Sequence, residues 1–159
     1  KGGKPSSSSG RNGGKRKRRK VAGTTAPPPK VAERKYWVQR YRLFSAYDDG
    51  VRLDAESFYS ATPELVAKAI ADRCRGLRVL DAFAGAGGNA IQFAAASSSS
   101  SSESESEASV VAIEIDASKV ADARHNAALY GVLDGIDFRE GDAVAFLLRE
   151  AESSSSSSS

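Results

Sequence analysis

Three acidic residues that follow predicted strands are the part of this sequence best suited to chemistry. Asp81 ends "LRVLD", Glu114 ends "VVAIE" and Asp142 ends "GIDFREGD". The glycine-rich turn "DAFAGAGG", which contains Gly85, follows the first acid. Because ligands of parallel α/β sheets bind at the carboxyl ends of the strands, these groups are predicted to line one site. Each acid alone has a helix cap or a solvated loop as its alternative. Three acids at successive strand ends favour a site.

The glycine turn indicates the kind of ligand. It matches neither G-x-G-x-x-G nor G-x-x-x-x-G-K-[ST], and it has no lysine to meet a phosphate. An acid such as Asp81 suits a ligand ammonium group, and the glycines allow the backbone to approach closely. Glu114 follows Asp81 by 33 residues, or by 20 once the 13-residue serine and glutamate run 97–109 is set aside. That spacing is typical of a ribose-binding acid. The pattern favours S-adenosylmethionine, which has an amino-acid head and a ribose but no phosphate.

The elements that must position these residues alternate between strands and helices. "LRVLDAF", "VVAIEID" and "GIDFREGD" predict three strands, each followed by a helix, and hence a doubly wound α/β sheet. Asp116 is the predicted N-cap of the second of these helices, and Gly131 ends it. Ahead of the sheet, Thr62 is predicted to cap a helix that begins at Pro63. The apolar stripe predicted for that helix is Leu65, Ala69 and Ile70.

The segment "KYWVQRYRLFSAYDDGVRLD" mixes aromatic and basic residues. Trp37, Tyr41 and Phe44 have the spacing of one helical face, which predicts a small helix docked on the domain. The alternative, which docking does not exclude, is that aromatic and basic side chains contact RNA bases and phosphates. The residues predicted for RNA or cap contact are Lys35, Trp37, Arg40 and Arg42.

Charge is distributed unevenly along the chain. Residues 1–42 hold 14 lysines and arginines and one acidic residue, whereas residues 43–159 hold 9 basic and 19 acidic residues. The basic block Lys15–Lys20 predicts an import receptor as partner or an RNA-contacting arm, with a solvated tail as the alternative. No apolar run reaches 18 residues, so no membrane partner is predicted. Cys74 and His125 make no metal site, and one cysteine suits a reducing compartment.

Over residues 34–150 the chain resembles the trimethylguanosine synthase family, the cap-specific guanine-N2 methyltransferases. The likeness rests on "KYWVQRYRLFSAYDDGVRLD", "ESFYSATPE", "DAFAGAGGNAIQFA", "VVAIEID", "ARHNAALYG" and "GD". The first two blocks are specific to that family and are not shared by methyltransferases in general. The resemblance implies a Rossmann-like class I S-adenosylmethionine methyltransferase fold, here truncated after the third βα unit. It also implies methylation of 7-methylguanosine caps on small nuclear or nucleolar RNA, in the nucleus with the nucleolus and cytoplasm as further compartments.

The resemblance and the composition together divide the chain. Residues 1–33 are predicted to be a disordered basic tail, and residues 34–60 form the family-specific extension. Residues 61–152 form a partial methyltransferase domain, which contains the Ser/Glu insertion 97–109. Residues 153–159 are predicted to be a serine tail, because serine runs lack apolar side chains to offset the entropy of ordering.

The resemblance also implies roles for individual residues. The cofactor-binding residues that it implies are Phe58, Thr62, Asp81, Gly85, Asn89, Glu114, Asn126 and Asp142. Asp81, Gly85 and Asn89 would line the methionine end. Glu114, where family members often carry aspartate, would hold the ribose hydroxyls, and Asp142 would face the adenine.

Ser60 is the catalytic candidate, placed by the resemblance at the reaction side of the pocket. The family's acceptor-binding segment is Ser-Pro-Pro-Trp after a fourth strand, and no proline follows Pro63 in this sequence. These 159 residues alone are therefore expected to have little or no activity. Two other functions stay open: a tRNA guanine-N2 methyltransferase, and a non-catalytic RNA-binding protein that uses the half-fold as a scaffold.

Overall fold

The computed structural model describes residues 33–97 and 110–156. The basic block Lys15–Lys20 lies outside the described residues. So do nearly all of the basic tail 1–33 and of the Ser/Glu insertion 97–109, together with the predictions made for them. Within the described ranges, no helix is both long enough and apolar enough to cross a membrane.

A three-stranded parallel sheet forms the centre of the described structure. Its strands are β1 (Val79–Asp81), β2 (Val110–Glu114) and β3 (Ile136–Glu140), in the order β1-β2-β3. The register places Asp81 beside Ala112. Each strand is followed by a helix, because parallel neighbours need a crossover connection. The predicted α/β class and its Rossmann-like arrangement are confirmed.

The three helices that follow the strands are α5 (Gly88–Ser97), α6 (Ala117–Tyr130) and α7 (Ala143–Ser156). The α6 prediction is confirmed at both ends. The Asp116 carboxylate accepts the backbone N–H groups of Ser118 and Lys119, and a left-handed Gly131 closes the helix. Helix α7 continues through Ser156 into the serine run that composition assigned to a tail.

Helix α4 (Glu64–Arg73), which precedes the sheet, differs from its prediction. It begins after Pro63 without a side-chain cap, so the prediction that Thr62 caps it is wrong. The predicted stripe is also wrong, since Leu65 is 81% exposed. Ala67 and Ala71 are buried instead, where α4 packs against the alanine-rich α5. Small residues face this contact because they let two helix backbones approach closely. The exposed residues of the predicted stripe are Leu65, Ala69 and Ile70.

The aromatic segment forms two short helices, α1 (Arg34–Trp37) and α2 (Arg40–Leu43), and not one. Trp37 is 7% exposed and Phe44 1%, which confirms docking for both residues. The break between the helices turns Tyr41 outward, so the prediction of a shared face is wrong for Tyr41.

The extension and the sheet share one hydrophobic core. A third short helix of the extension, α3 (Ser57–Ser60), buries Phe58 beside Trp37, with ring centroids 6.0 Å apart. The same buried cluster continues into Ile91 of α5 and Val110 of β2. The extension is therefore part of the methyltransferase-like body, and it reaches the sheet's carboxyl edge.

Candidate ligand site at the carboxyl edge of the sheet

A cavity of about 460 Å³ lies where β1 and β2 end. One wall is the glycine turn between β1 and α5, and the opposite wall is α3 of the extension. Four predicted cofactor residues line it: Thr62, Gly85, Asn89 and Glu114. The predicted catalytic residue Ser60 lines it as well.

Asp81, the last residue of β1, precedes the glycine turn and is not among the residues that line this cavity. Backbone N–H groups of Phe83 and Ala90 donate to its carboxylate, yet Oδ2 is buried without a partner among the described residues. Burial raises the pKa of Asp81, and the nearby Glu114 adds to the rise. A buried acceptor without a donor is costly in the free protein. A cationic donor such as a ligand ammonium group would satisfy it and favour the ionised form.

Asn89, the second residue of α5, has the same feature as Asp81. Its Oδ1 is buried without a hydrogen-bond partner in the described part of the chain. Two unpaired oxygens at one sheet edge leave room for at least two donors from a ligand. This donor requirement fits the amino-acid head of S-adenosylmethionine.

Glu114, the last residue of β2, is hydrogen-bonded to the glycine turn. Its Oε2 accepts the backbone N–H of Gly85 at 2.9 Å, and its Oε1 accepts the N–H of Asp116 at 3.0 Å. Each carboxylate oxygen can accept more than one hydrogen bond, so Glu114 keeps capacity for ligand hydroxyls. Gly85 and Gly87 both have positive φ, and a Cβ on Gly87 would lie 3.2 Å from Ala123. The turn therefore requires glycine for its conformation and for its close contact with α6.

Several polar contacts join the extension wall to its neighbours. Asp54 Oδ1 accepts the N–H of Ser57 at 2.7 Å, which fixes the start of α3. Lys119 of α6 contacts Glu56 at 2.6 Å and Asp54 at 3.7 Å. The Ser60 hydroxyl donates to the Glu56 carbonyl. It lies at the cavity surface, and its catalytic role stays a prediction.

Two predicted cofactor residues lie behind the cavity. Phe58 is buried in the aromatic core of the extension. Asn126 is fully buried, and its side chain is used by backbone groups: Oδ1 accepts the Arg52 N–H, while Nδ2 donates to the carbonyls of Arg52 and Ala86. Asn126 thus joins the extension to the glycine turn. A direct contact of either residue with a cofactor stays a prediction.

Asp142 lies at the same sheet edge but in a second cavity of about 330 Å³, between β3 and α7. Its Oδ1 accepts the N–H groups of Val144 and Ala145, so it caps α7. The alternative of a helix cap is therefore confirmed for Asp142, and its contact with adenine stays a prediction.

The residues predicted to contact RNA divide into two kinds. Trp37 is buried, and the Arg40 guanidinium lies between the rings of Trp37 and Tyr41, 4.3 and 4.1 Å from their centroids. Both side chains are used for packing. Lys35 and Arg42 are exposed on the extension and remain accessible to phosphates.

Sequence reasoning missed several residues of the cavity. Glu56 and Lys119 line it as an ion pair contributed by two distant segments, and no local pattern signals such a pair. Phe83 and Ile115 line it with 81% and 71% exposure. Their positions just beyond the ends of β1 and β2 could have identified them. Over the described ranges, no group of three metal-ligating side chains is present.

The fold and this site define an α/β protein of the methyltransferase type, and comparisons with known proteins agree. The RNA cap guanine-N2 methyltransferase family matches residues 76–157. The trimethylguanosine synthase of Schizosaccharomyces pombe is 43% identical over 118 residues, which cover 71% of this chain and 45% of that protein. The trimethylguanosine synthase of Saccharomyces cerevisiae is 33% identical over 113 residues, covering 67% and 33%.

The chain belongs to the RNA cap guanine-N2 methyltransferase family. It spans less than half the length of either yeast relative. The resemblance on which the sequence predictions relied is confirmed.

Proposed function

We propose that this chain binds S-adenosylmethionine and belongs to an enzyme that transfers its methyl group to N2 of a 7-methylguanosine RNA cap. The observation that carries the proposal is a pair of buried oxygens, on Asp81 and Asn89, that have no hydrogen-bond partner within residues 33–97 and 110–156. They lie at the sheet edge where this fold class binds its ligand. Family membership supports the acceptor, because both relatives are named trimethylguanosine synthase.

When bound, S-adenosylmethionine supplies an electrophilic methyl group. The chain's own residues bind and orient the reactants. The Asp81 carboxylate would pair with an ammonium group, and Glu114 would accept hydroxyl hydrogen bonds while it holds the glycine turn. Ser60, across the cavity, would position the acceptor base, and Thr62, which lines the same cavity, would contact the cofactor. Such positioning supplies much of the rate of a bimolecular transfer, because it removes the entropy of bringing two reactants together.

The RNA class and the compartment belong to the proposal as well. We propose small nuclear or nucleolar RNA as the substrate, and nuclear import through the basic block Lys15–Lys20. We also propose that these 159 residues alone turn over slowly, because they contain no Ser-Pro-Pro-Trp segment. Robust methylation by the purified polypeptide would overturn the last point.

Calorimetry with S-adenosylmethionine tests the cofactor site. The wild-type chain is expected to bind saturably, and a variant with Asp81→Ala and Glu114→Ala is expected to lose binding. Asp134→Ala, an acid outside the cavity, is the matched control and should bind as the wild type does. Absence of binding by the wild-type chain would contradict the proposal. Competition between 7-methylguanosine triphosphate and unmodified GTP then separates a cap acceptor from a tRNA guanine.

A further inference from the structure

Ser45, in the turn that follows α2, lies in a sequence pattern that the cofactor site does not use. Arg40 and Arg42 precede it by five and three residues, in "RYRLFS". No other serine or threonine of the sequence has arginines at both of these positions. Protein kinases that select basic substrates bind such arginines with acidic groups of their substrate groove, since charge patterns set kinase specificity. The pattern therefore indicates a serine that accepts a phosphoryl group.

The segment that carries the pattern is accessible. Ser45 and Arg42 are exposed, whereas Arg40 is half-buried against Trp37. A kinase groove that binds Arg40 therefore needs a local opening of α2. That helix has four residues, and a helix this short has little stability of its own. Local openings of such segments cost far less than global unfolding.

The Ser45 hydroxyl holds the extension to two helices through one carboxylate. It donates to Glu64 Oε1 at 2.9 Å, and the Ser45 backbone N–H donates to Oε2 of the same side chain. The Tyr130 hydroxyl of α6 donates to that Oε2 at 2.8 Å. Glu64 is the first residue of α4. The Ser45–Glu64–Tyr130 cluster thus joins the turn after α2 to both α4 and α6.

A phosphate on Ser45 would break this cluster. In the transfer, Oγ forms a bond to the γ-phosphorus of ATP held by the kinase, the bond from that phosphorus to the β,γ-bridging oxygen breaks, and ADP leaves. The hydroxyl proton passes to the catalytic aspartate of the kinase. Oγ then has no proton to donate to Glu64. The phosphate carries about −1.5 to −2 charges at pH 7 and repels the carboxylate beside it.

Phe44 connects the cluster to the cavity. It is 1% exposed, and its ring centroid lies 6.3 Å from that of Tyr130. A Cβ added to Gly88 would lie 3.5 Å from Phe44 Cζ, so the ring packs against the start of α5. Gly88 lines the cavity together with Asn89. Displacement of the turn at Ser45 therefore moves a ring that supports the glycine turn.

We propose that Ser45 is a phosphorylation site for an arginine-directed protein kinase, and that phosphate there lowers the affinity of the cavity for S-adenosylmethionine. The second part rests on the proposed function, because it assumes that the cavity binds this cofactor. The modification would act as a negative regulator, since it replaces a hydrogen bond with a repulsion between the extension and α4.

Phosphorylation of the full 159-residue chain tests the site. The chain is incubated with ATP and a kinase that requires both arginines, and fragmentation mass spectrometry locates the phosphate. Ser45 is expected to be phosphorylated in the wild type, and Ser45→Ala should lose this signal. Arg42→Ala removes one arginine of the pattern and should lose most of the labelling of Ser45. Arg34→Ala, an exposed arginine outside the pattern, is the matched control and should be labelled as the wild type is.

Calorimetry with S-adenosylmethionine tests the consequence. The phosphorylated chain and Ser45→Glu are expected to bind about tenfold more weakly than the unmodified chain, as for one lost hydrogen bond to a charged group. In a Glu64→Gln background, Ser45→Glu should reduce affinity less, because the repelling carboxylate is gone. Ser153→Glu adds the same charge on α7 and should bind as the wild type does.

Two outcomes would overturn the proposal. One is the absence of phosphate from Ser45 of the folded chain, which is measured without cofactor. The other is equal cofactor affinity of the unmodified chain and the chain phosphorylated at Ser45. Failure of the unmodified chain to bind S-adenosylmethionine would instead refute the proposed function. Urea denaturation would still report the broken cluster in that case, as a lower stability of the phosphorylated chain.

Discussion

The sheet edge and the extension, which meet at the cavity, differ in how they use their polar groups. At the sheet edge, Asp81 and Asn89 each keep a buried oxygen that has no partner among the residues the structure describes. On the extension side, the polar groups are engaged in long-range contacts such as Arg52 with Asn126 and Glu56 with Lys119. Buried acceptors without partners lower the stability of the free protein and can accept hydrogen bonds from a ligand. Paired groups instead hold the surface around them in position. The sheet edge therefore provides binding, and the extension provides position.

Removal of the Asn126 side chain is expected to have the largest effect on stability, because Asn126 joins the extension to the glycine turn. Asn126→Ala leaves the Arg52 N–H and the carbonyls of Arg52 and Ala86 without their buried partner. We expect the free energy of unfolding to fall by about 3 kcal/mol, as for several unsatisfied buried groups. Urea denaturation measures the loss. Asn126→Asp turns a buried carboxylate oxygen toward the carbonyls of Arg52 and Ala86, so it should lose at least as much. Equal stability of Asn126→Ala and wild type would show that the extension is held by its apolar contacts alone.

Asp81→Asn tests whether the sheet edge binds the cofactor. Removal of the carboxylate charge should weaken S-adenosylmethionine binding about a hundredfold, since a buried charge-assisted bond contributes about 2–3 kcal/mol. The free variant should be as stable as wild type or more stable at neutral pH, because burial raises the pKa of Asp81 and the ionised form opposes folding. Calorimetry and thermal unfolding of the same samples measure both effects. Loss of affinity together with loss of stability would identify Asp81 as a structural residue.

The raised pKa of Asp81 also predicts a pH dependence. A folded-state pKa above the unfolded value means that the contribution of Asp81 to stability is present at low pH and is lost as pH rises through the folded value. Cofactor affinity should change in the opposite direction and fall as pH decreases through that value, because the ammonium group needs the ionised carboxylate. Affinity titrated from pH 7 downward should show this fall in the wild type and not in Asp81→Asn.

Tyr130→Phe removes a hydroxyl that contacts both the extension and α4, and it is expected to have a smaller effect on stability. The Tyr130 hydroxyl donates to Glu64 at 2.8 Å, and Glu64 in turn accepts the N–H of Ser45. We expect a loss of about 1 kcal/mol at neutral pH. Burial, with the Glu64 bond, raises the pKa of Tyr130 from 10.0 to about 12. The stability that the Tyr130 hydroxyl contributes should therefore be lost as pH rises from about 10 to about 12. Urea denaturation at pH 8 and pH 11 measures both points, and a difference that does not shrink with pH would contradict the prediction.

Lys119→Gln is expected to have the smallest effect. Its partners Glu56 and Asp54 are largely exposed, so the pair should contribute no more than about 0.5 kcal/mol. Salt should reduce even that difference, because exposed charges are screened. Denaturation in low and high salt gives the measurement, with Lys68→Gln on the exposed face of α4 as the control. A loss above 1 kcal/mol that persists in high salt would show that this ion pair holds the extension wall.

The sequence by itself determined the elements whose signals are local. Apolar runs such as "VVAIE" specified parallel strands, and Asp116 with Gly131 marked both ends of α6, because caps and turns depend on a few adjacent residues. The acids and glycines could be located at the sheet edge for the same reason, although Asp142 lies in a second cavity, apart from Gly85 and Glu114.

Tertiary structure decided which faces are buried and which polar groups stay unpaired. Leu65 is exposed and Ala67 buried because α5 approaches α4 closely, and no periodicity within α4 encodes the size of its neighbour. Asn126 resembled a ligand-binding residue in the sequence, yet its hydrogen bonds reach Arg52, 74 residues away. Whether a polar side chain binds a ligand or anchors the fold depends on donors and acceptors from distant segments, which only the folded chain brings together.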